Sequence, residues 1–311
     1  MRIAVKTGLP GILCCMLLFA AIVTGKAGTA VAGTVLTEPR PVLQTVTACG
    51  TDTPVNLDML TPAQGTGPYP AVLVVHGGGW LSGSRTDLRG LLLQLSRWGM
   101  LGVSVDYRLA PAARFPAQIE DVKCAVRWLR AHAAEYGIQA DRIGALGISA
   151  GAHLVALTAL TAGQWEQYGG NPQVSSALRC AVMHAPPLNL PAWWEDADPA
   201  MRGPMSPRVM LNTLFGADYA GAKQAYRMAS PASYTHFDRQ QKQTIPAMLL
   251  IQGEKDVTVP VSQSRQFAAQ LRQAGVALEL MTLADGDHFT FGSQGAQVGE
   301  KIRAFLTGCL Q

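Results

Sequence analysis

Apolar and polar positions along the chain fall into two alternating patterns. Short continuous apolar runs at 71–75, 101–105, 142–146, 180–184, 245–251 and 278–283 predict strands buried on both faces of a sheet. Between them, segments 88–98, 116–136, 153–160, 260–274 and 298–306 repeat apolar residues at helical spacing. Two earlier segments, 42–48 and 54–60, predict strands joined around Cys49-Gly50-Thr51-Asp52. A loose lead-in covers 33–41, and a loop rich in Pro and Gly covers 62–70. Strands alternating with helices predict an α/β fold, a mostly parallel sheet with helices on both faces. There is no internal repeat and no linker long enough to separate two cores, so residues 33–311 are expected to form a single domain. The stretch 188–230 breaks the pattern. Pro191, Trp193, Trp194, Pro199, Pro204 and Pro207 suit an irregular excursion with short helices, either a small cap over a site or a surface insertion.

Composition sharpens this picture mainly at the N-terminus. With 48% hydrophobic and 15% charged residues, the chain has the make-up of a well-packed globular protein. The formal charge of +4 owes three positives to Arg2, Lys6 and Lys26, in a first segment of 32 residues without an acid. That segment predicts a cleaved signal peptide: a basic start, an apolar run over 12–23, and Ala30-Val31-Ala32 as the cleavage pattern. A membrane anchor is the alternative, but the apolar run falls short of the ~20 residues a span needs. A secreted or periplasmic protein is therefore expected. The nearly neutral remainder makes no electrostatic case for nucleic acid or an anionic membrane surface. Cys14 and Cys15 would leave with the leader. Cys49, Cys124, Cys180 and Cys309 then allow three disulfide pairings, which stay open. Cys124 points away from the apolar stripe Ile119, Val122, Val126 and Leu129 of its helix, so it is free to meet another segment or to remain a buried thiol. No cysteine pair has metal-site spacing, and neither a metal nor a cofactor is expected.

The chemistry centres on Gly147-Ile148-Ser149-Ala150-Gly151, between a predicted strand and a predicted helix. A serine on so sharp a turn has its hydroxyl pushed out toward substrate, and flanking glycines let strand and helix pass closely. A serine nucleophile needs a base, and the base an acid, in the order Ser, Asp or Glu, His for such a strand-turn-helix site. His288, just past the last predicted strand, fits the base. Asp256, with Glu254 as the alternative, lies just past the strand over 245–251 and fits the acid. His76-Gly77-Gly78-Gly79-Trp80 directly follows the buried run at 71–75. Three glycines there allow backbone N–H groups to converge on a developing oxyanion, with Gly77, Gly78 and Ala150 as the expected donors. Trp80 and Phe289, beside the donor loop and the base, are candidate substrate contacts.

Taken together, HGGGW at 76–80, DYRLAP at 106–111, FPAQIEDVKCAVRWLR at 115–130, GISAG at 147–151, GEKDVTVP at 253–260 and DGDHF at 285–289 resemble the α/β-hydrolase esterases. The similarity is to the hormone-sensitive-lipase-like and BD-FAE-like carboxylesterases, a group that includes acetyl, feruloyl and xylan-side-chain esterases, and it runs from about Thr53 to the C-terminus. The resemblance implies an α/β-hydrolase fold with Ser149, Asp256 and His288 as a triad. It implies bracing roles for Asp106 to Arg108 and for Glu120 and Asp121. One departure is His184-Ala185-Pro186-Pro187, where the family usually has a Gly-Pro turn. The expected activity is hydrolysis of short-chain or plant-polysaccharide side-chain esters, with oligomeric state left open. A serine peptidase of the same fold and a non-catalytic binding module are the alternatives. The peptidase is disfavoured because only about forty mature residues precede His76, and the binding module because both Ser and His are present. An imidazole base implies that activity falls below about pH 6.

Overall fold

The computed structural model describes residues 41–49, 53–238, 241 and 244–310. The expected leader with Cys14 and Cys15, the start of the expected lead-in and residues 50–52 lie outside the described residues. Eight strands form one sheet in the order β1-β2-β4-β3-β5-β6-β7-β8. They are β1 (Leu43–Cys49), β2 (Val55–Leu60), β3 (Tyr69–Val75), β4 (Leu101–Val105), β5 (Ile138–Ile148), β6 (Cys180–His184), β7 (Ala247–Gly253) and β8 (Leu278–Leu283). β1 and β2 pair antiparallel with their neighbours, and β4 through β8 run parallel. This is the α/β-hydrolase fold.

Both faces of the sheet are covered, which is why its central strands carry nearly continuous apolar runs. One core layer gathers alternate residues of β3 to β7 with Ile119, Leu154 and Phe267, from α2 (Ala117–Ala131), α3 (Ala150–Leu160) and α7 (Val261–Gln273). The opposite layer joins Val72, Val74, Val182 and Ile251 to Leu92, Val298 and Leu306, from α1 (Arg89–Arg97) and α8 (Gly295–Leu310). All residues of α3 are buried, in keeping with a segment that is apolar around its whole circumference.

Element boundaries depart from the sequence expectation where tertiary pairing overrides local pattern. The helix expected over 116–136 ends at Ala131, and the chain turns through Gly137 at φ 64° so that Ile138 can pair with Tyr69. For the same reason β5 begins four residues before its apolar run, across the polar stretch Gln139 to Arg142. The polar side of α2 is buried as well. Lys123 donates to the carbonyls of Thr161 and Gln164, and Arg127 pairs with Glu166 at 2.9 Å, so a loop after α3 covers that face. Cys124, on the same side, is bonded to Cys49 of β1, and Cys180 at the start of β6 is bonded to Cys309 near the end of α8. The irregular stretch after β6 carries α4 (Leu190–Asp196), α5 (Pro207–Phe215) and α6 (Lys223–Met228), followed by a 3₁₀ turn at Pro231–Tyr234. Among the described residues, no helix is long and apolar enough to cross a membrane.

His153 of α3 is fully buried, and its Nε2–H donates to the Ala229 carbonyl at 2.6 Å. Loss of hydration for the imidazolium lowers its pKa from 6.5 to about 4, and burial does the same to His184. Between those values the unfolded chain binds protons that the folded chain refuses. Stability is therefore complete above about pH 6.5 and is lost as pH falls toward 4, by on the order of 3 kcal/mol per histidine. The His153→Gln variant keeps a nitrogen donor for Ala229 and removes one titration. Urea midpoints at neutral and acidic pH are expected to separate less in this variant than in the wild type. Equal separation would remove His153 as a source of acid sensitivity.

Candidate active site

β5 ends at Ile148 and α3 begins at Ala150, which leaves Ser149 alone on the turn between them. Its backbone sits at φ 54°, ψ −119°, a region that side chains rarely occupy. The neighbours hold it there: Ser149 N–H donates to the His184 carbonyl at 2.8 Å, and the Ser149 carbonyl accepts from His153 N–H at 3.0 Å. Both flanking glycines are required by close packing. A methyl group on Gly151 would overlap the carbonyl oxygens of Val75 and His76, and one on Gly147 would overlap the backbone of Gly151.

Ser149, His288 and Asp256 meet in one hydrogen-bonded line. The Ser149 Oγ lies 2.9 Å from His288 Nε2, and His288 Nδ1 lies 2.7 Å from Asp256 Oδ2. Because the carboxylate only accepts, Nδ1 carries the proton and Nε2 is left to receive the hydroxyl proton. His288 and Asp256 are buried, while Ser149 is half-buried. The Asp256 carboxylate is fully engaged: Oδ1 accepts from the N–H groups of Thr258 at 2.9 Å and Val259 at 2.8 Å, and Oδ2 also accepts from Gln252 Nε2 at 2.8 Å. Glu254, the other acid weighed from sequence, instead pairs with Arg265 at 2.5 Å, away from the imidazole. Asp285 and Asp287 cap their own loop, accepting from Ser293 N–H and from Phe289 and Thr290 N–H. The loops that carry the acid and the base touch directly, with Lys255 N–H donating to the Gly286 carbonyl at 2.9 Å.

The loop after β3 lies against Ser149. A side chain on Gly77 would come within 3.4 Å of Ser149 Cβ. The loop carbonyls are taken up elsewhere. The Tyr107 hydroxyl sits 3.1 Å from the carbonyls of both His76 and Gly77, His76 Nδ1–H donates to the Gly77 carbonyl at 2.8 Å, and the Gly78 carbonyl accepts from Leu81 and Ser82 N–H. Burial holds the His76 imidazole below its ordinary pKa, and the ring stacks on Tyr107 at 4.1 Å. Ala150 is the first residue of α3, so its N–H has no carbonyl one turn back within the helix. Trp80 corrects the sequence expectation. It is 1% exposed, with its indole edge-on to His153 at 5.0 Å and to Trp193 at 6.4 Å, so the ring fills the core and offers no surface to a substrate. Phe289 is 74% exposed and edge-on to His288 at 5.1 Å, beside the open side of the base.

Several residues without a motif support the centre. The helices after β6 reach the site loops twice: Trp193 Nε1–H donates to the Thr258 carbonyl at 2.9 Å, and Met210 of α5 fills the space above Gly79. Gln263 Oε1 accepts from Leu188 and Asn189 N–H, which fixes the turn after β6. His184 packs against Phe291 at 4.7 Å and is held neutral, near a pKa of about 4, by burial and then by the neighbouring His288. The bracing roles implied for Asp106, Arg108 and Asp121 appear as ion pairs. Arg108 donates to Asp121 at 2.9 Å, and Arg85 bridges Asp106 and the buried Asp58. The signal for Gln252 in sequence is slight: an amide ending the apolar run Met248-Leu249-Leu250-Ile251, four residues before the acid.

The BD-FAE family model matches residues 57–271. Esterase LipQ of Mycobacterium tuberculosis is 34% identical over 242 residues, 76% of this chain and 55% of that protein. Esterase LipC of the same organism is 32% identical over 251 residues, 78% of this chain and 59% of that protein. The chain thus spans about half the length of the curated relatives it matches. Among solved structures, the thermophilic esterase Est2 of Thermogutta terrifontis with butyrate bound superposes with a TM-score of 0.69 at 26% identity, over 86% of this chain and 94% of that one.

Close packing at the turn yields a test of its own. Gly151→Ala forces a methyl group into the backbone of β3 and is expected to cost at least ~1–3 kcal/mol, with loss of any Ser149-dependent activity. Gly308→Ala in α8 has open space around the added methyl and is expected to be neutral or up to ~1 kcal/mol stabilising. Denaturant midpoints compare the two directly. A Gly151→Ala protein as stable as the wild type would contradict the packing described.

Proposed function

The chain belongs to the BD-FAE family, and from that premise we propose that it is a serine carboxylesterase acting through an acyl-enzyme on Ser149. The observation that carries this reading is the continuous line from Ser149 Oγ through His288 to Asp256, at 2.9 and 2.7 Å. In the first step His288 Nε2 takes the hydroxyl proton while Ser149 Oγ attacks the ester carbonyl. The imidazolium that forms is stabilised through Nδ1–H by Asp256, and it then gives its proton to the leaving alcohol. Water enters by the same route in reverse and releases the acid.

The carbonyl oxygen turns into an oxyanion in both steps, and N–H donors set in advance are the largest single source of rate at such sites. Gly77, Gly78 and Ala150 are the donors in this reading. The support is the proximity of Gly77 to Ser149, the engagement of the loop carbonyls by other groups, and the place of Ala150 at the start of α3. No metal or organic cofactor is required by this chemistry. Phe289, exposed beside the base, is placed to touch the substrate. The helices after β6 fill the role of a small cap, supported by their contacts to Gly79 and Thr258.

Short acyl groups are the proposed substrates, supported by the likeness to an esterase solved with butyrate. Plant-polysaccharide side-chain esters, which carry acetyl or feruloyl groups, are the alternative substrate class in this reading. We also infer export, with cleavage after Ala32. The basic and apolar leader supports it, and the Cys49–Cys124 and Cys180–Cys309 disulfides are compatible with an oxidising compartment.

The Ser149→Ala variant is expected to lose p-nitrophenyl acetate hydrolysis by at least ~10³-fold in kcat while keeping the wild-type unfolding midpoint; undiminished turnover would sink the mechanism. A panel of nitrophenyl esters from acetyl to palmitoyl, with acetylated xylan and methyl ferulate alongside, is expected to favour the short acyl groups. A maximum at palmitoyl would overturn that preference.

A further inference from the structure

We propose that Gln252 is a positioning residue of the catalytic centre, forming with Ser264 a hydrogen-bonded arm that fixes where the Asp256 carboxylate points. The inference rests on the acyl-enzyme reading above, in which Asp256 orients His288.

Gln252 is fully buried at the end of β7. A primary amide in such a place is costly unless its donors and acceptor are used. Here they are. Nε2 donates to Asp256 Oδ2 at 2.8 Å and to the Val259 carbonyl at 3.1 Å, and Oε1 accepts from the Ser264 hydroxyl at 2.9 Å. Ser264 is on α7 and is also fully buried. The amide has only one workable orientation. Both neighbours on the nitrogen side are pure acceptors, and a flipped amide would set its oxygen against two others.

The two ends of the Asp256 carboxylate are held differently. Oδ1 is gripped by two backbone N–H groups of its own loop. Among the described residues, Oδ2, the oxygen that faces His288, has one further hydrogen-bond partner besides the imidazole, and that is Gln252. By also holding the Val259 carbonyl, the same amide ties the acid side chain to the backbone of the loop that carries it. A continuous chain then runs from Ser264 through Gln252, Asp256 and His288 to Ser149, and every bond along it except the last lies between buried groups. Without the amide, Oδ2 is held by His288 alone and the carboxylate can pivot about its Oδ1 contacts, moving Oδ2 away from Nδ1. The imidazolium would then lose its fixed partner at the moment it forms.

Three variants in the full chain test the arm. Gln252→Met keeps the volume and removes the hydrogen bonds. Gln252→Glu keeps the shape but turns the donor into an acceptor facing a carboxylate. Ser264→Ala removes only the outermost bond. Gln252→Met is expected to lower kcat for p-nitrophenyl acetate about 10- to 100-fold, as for loss of a hydrogen bond to a charged group, with KM held within about twofold. Gln252→Glu is expected to fall further, and Ser264→Ala only about 3- to 10-fold, as for loss of a neutral hydrogen bond. A substrate-free readout accompanies these: the downfield proton resonance of His288 Nδ1–H, expected in the wild type and shifted or lost in Gln252→Met. A folded Gln252→Met protein with wild-type kcat and an unmoved resonance would overturn the arm. If Gln252→Met does not fold, Ser264→Ala decides, and unchanged kcat together with an unmoved resonance in that variant overturns it. A wild type inactive on every ester, with the resonance still displaced in Gln252→Met, would overturn the esterase reading and support the arm.

Discussion

Everything in this centre depends on one strained residue being held still. Ser149 sits at a positive φ that costs on the order of 1–3 kcal/mol for a residue with a side chain. It stays there because the two glycines around it let β5, α3 and the end of β3 approach to backbone contact, and because β6 accepts its N–H. The central strands β3, β5 and β6 thus hold Ser149 as well as forming the core. Packing of the interior is what makes the strain tolerable, since the neighbouring backbones leave the turn little room to relax.

The remaining groups come from loops at the same edge of the sheet, one after each of β3, β7 and β8. Loops are poor at holding geometry unless their polar atoms are engaged, and these are. The loop after β3 has its carbonyls taken by Tyr107 and His76, and the acid loop wraps its own carboxylate with Thr258 and Val259 N–H. The acid and base loops also bond to each other through Lys255 and Gly286. Full use of hydrogen bonds in a buried place confers rigidity that apolar contact alone does not supply, because each bond has a direction.

Packing around the site extends outward in the same manner. Trp80 and Trp193 fill the space between the donor loop, α3 and α4, while the Trp193 indole N–H reaches the acid loop. Arg85 pairs with the buried Asp58 of β2 and with Asp106 where the chain leaves β4, and Arg108 pairs with the buried Asp121 of α2. The disulfides join β1 to α2 and β6 to α8, tying segments 75 and 129 residues apart.

The periodicity of apolar residues determined the α/β class and the strands buried on both faces, and the Gly-x-Ser-x-Gly pattern gave the place of the serine turn. That information is local: a strand covered on both faces is largely apolar along its length, and a close turn must carry glycine. The order of Ser, Asp and His along the chain likewise pointed to the partners before any coordinates. Local pattern had no access to contacts between distant segments. It left Glu254 beside Asp256 as an alternative, left the cysteines unpaired, gave Trp80 to the substrate and passed over Gln252. Only the tertiary structure decided these. Which carboxylate faces an imidazole 32 residues away, which sulfurs meet, and whether an indole faces solvent or core depend on how separate elements pack, and no spacing along the chain encodes that directly.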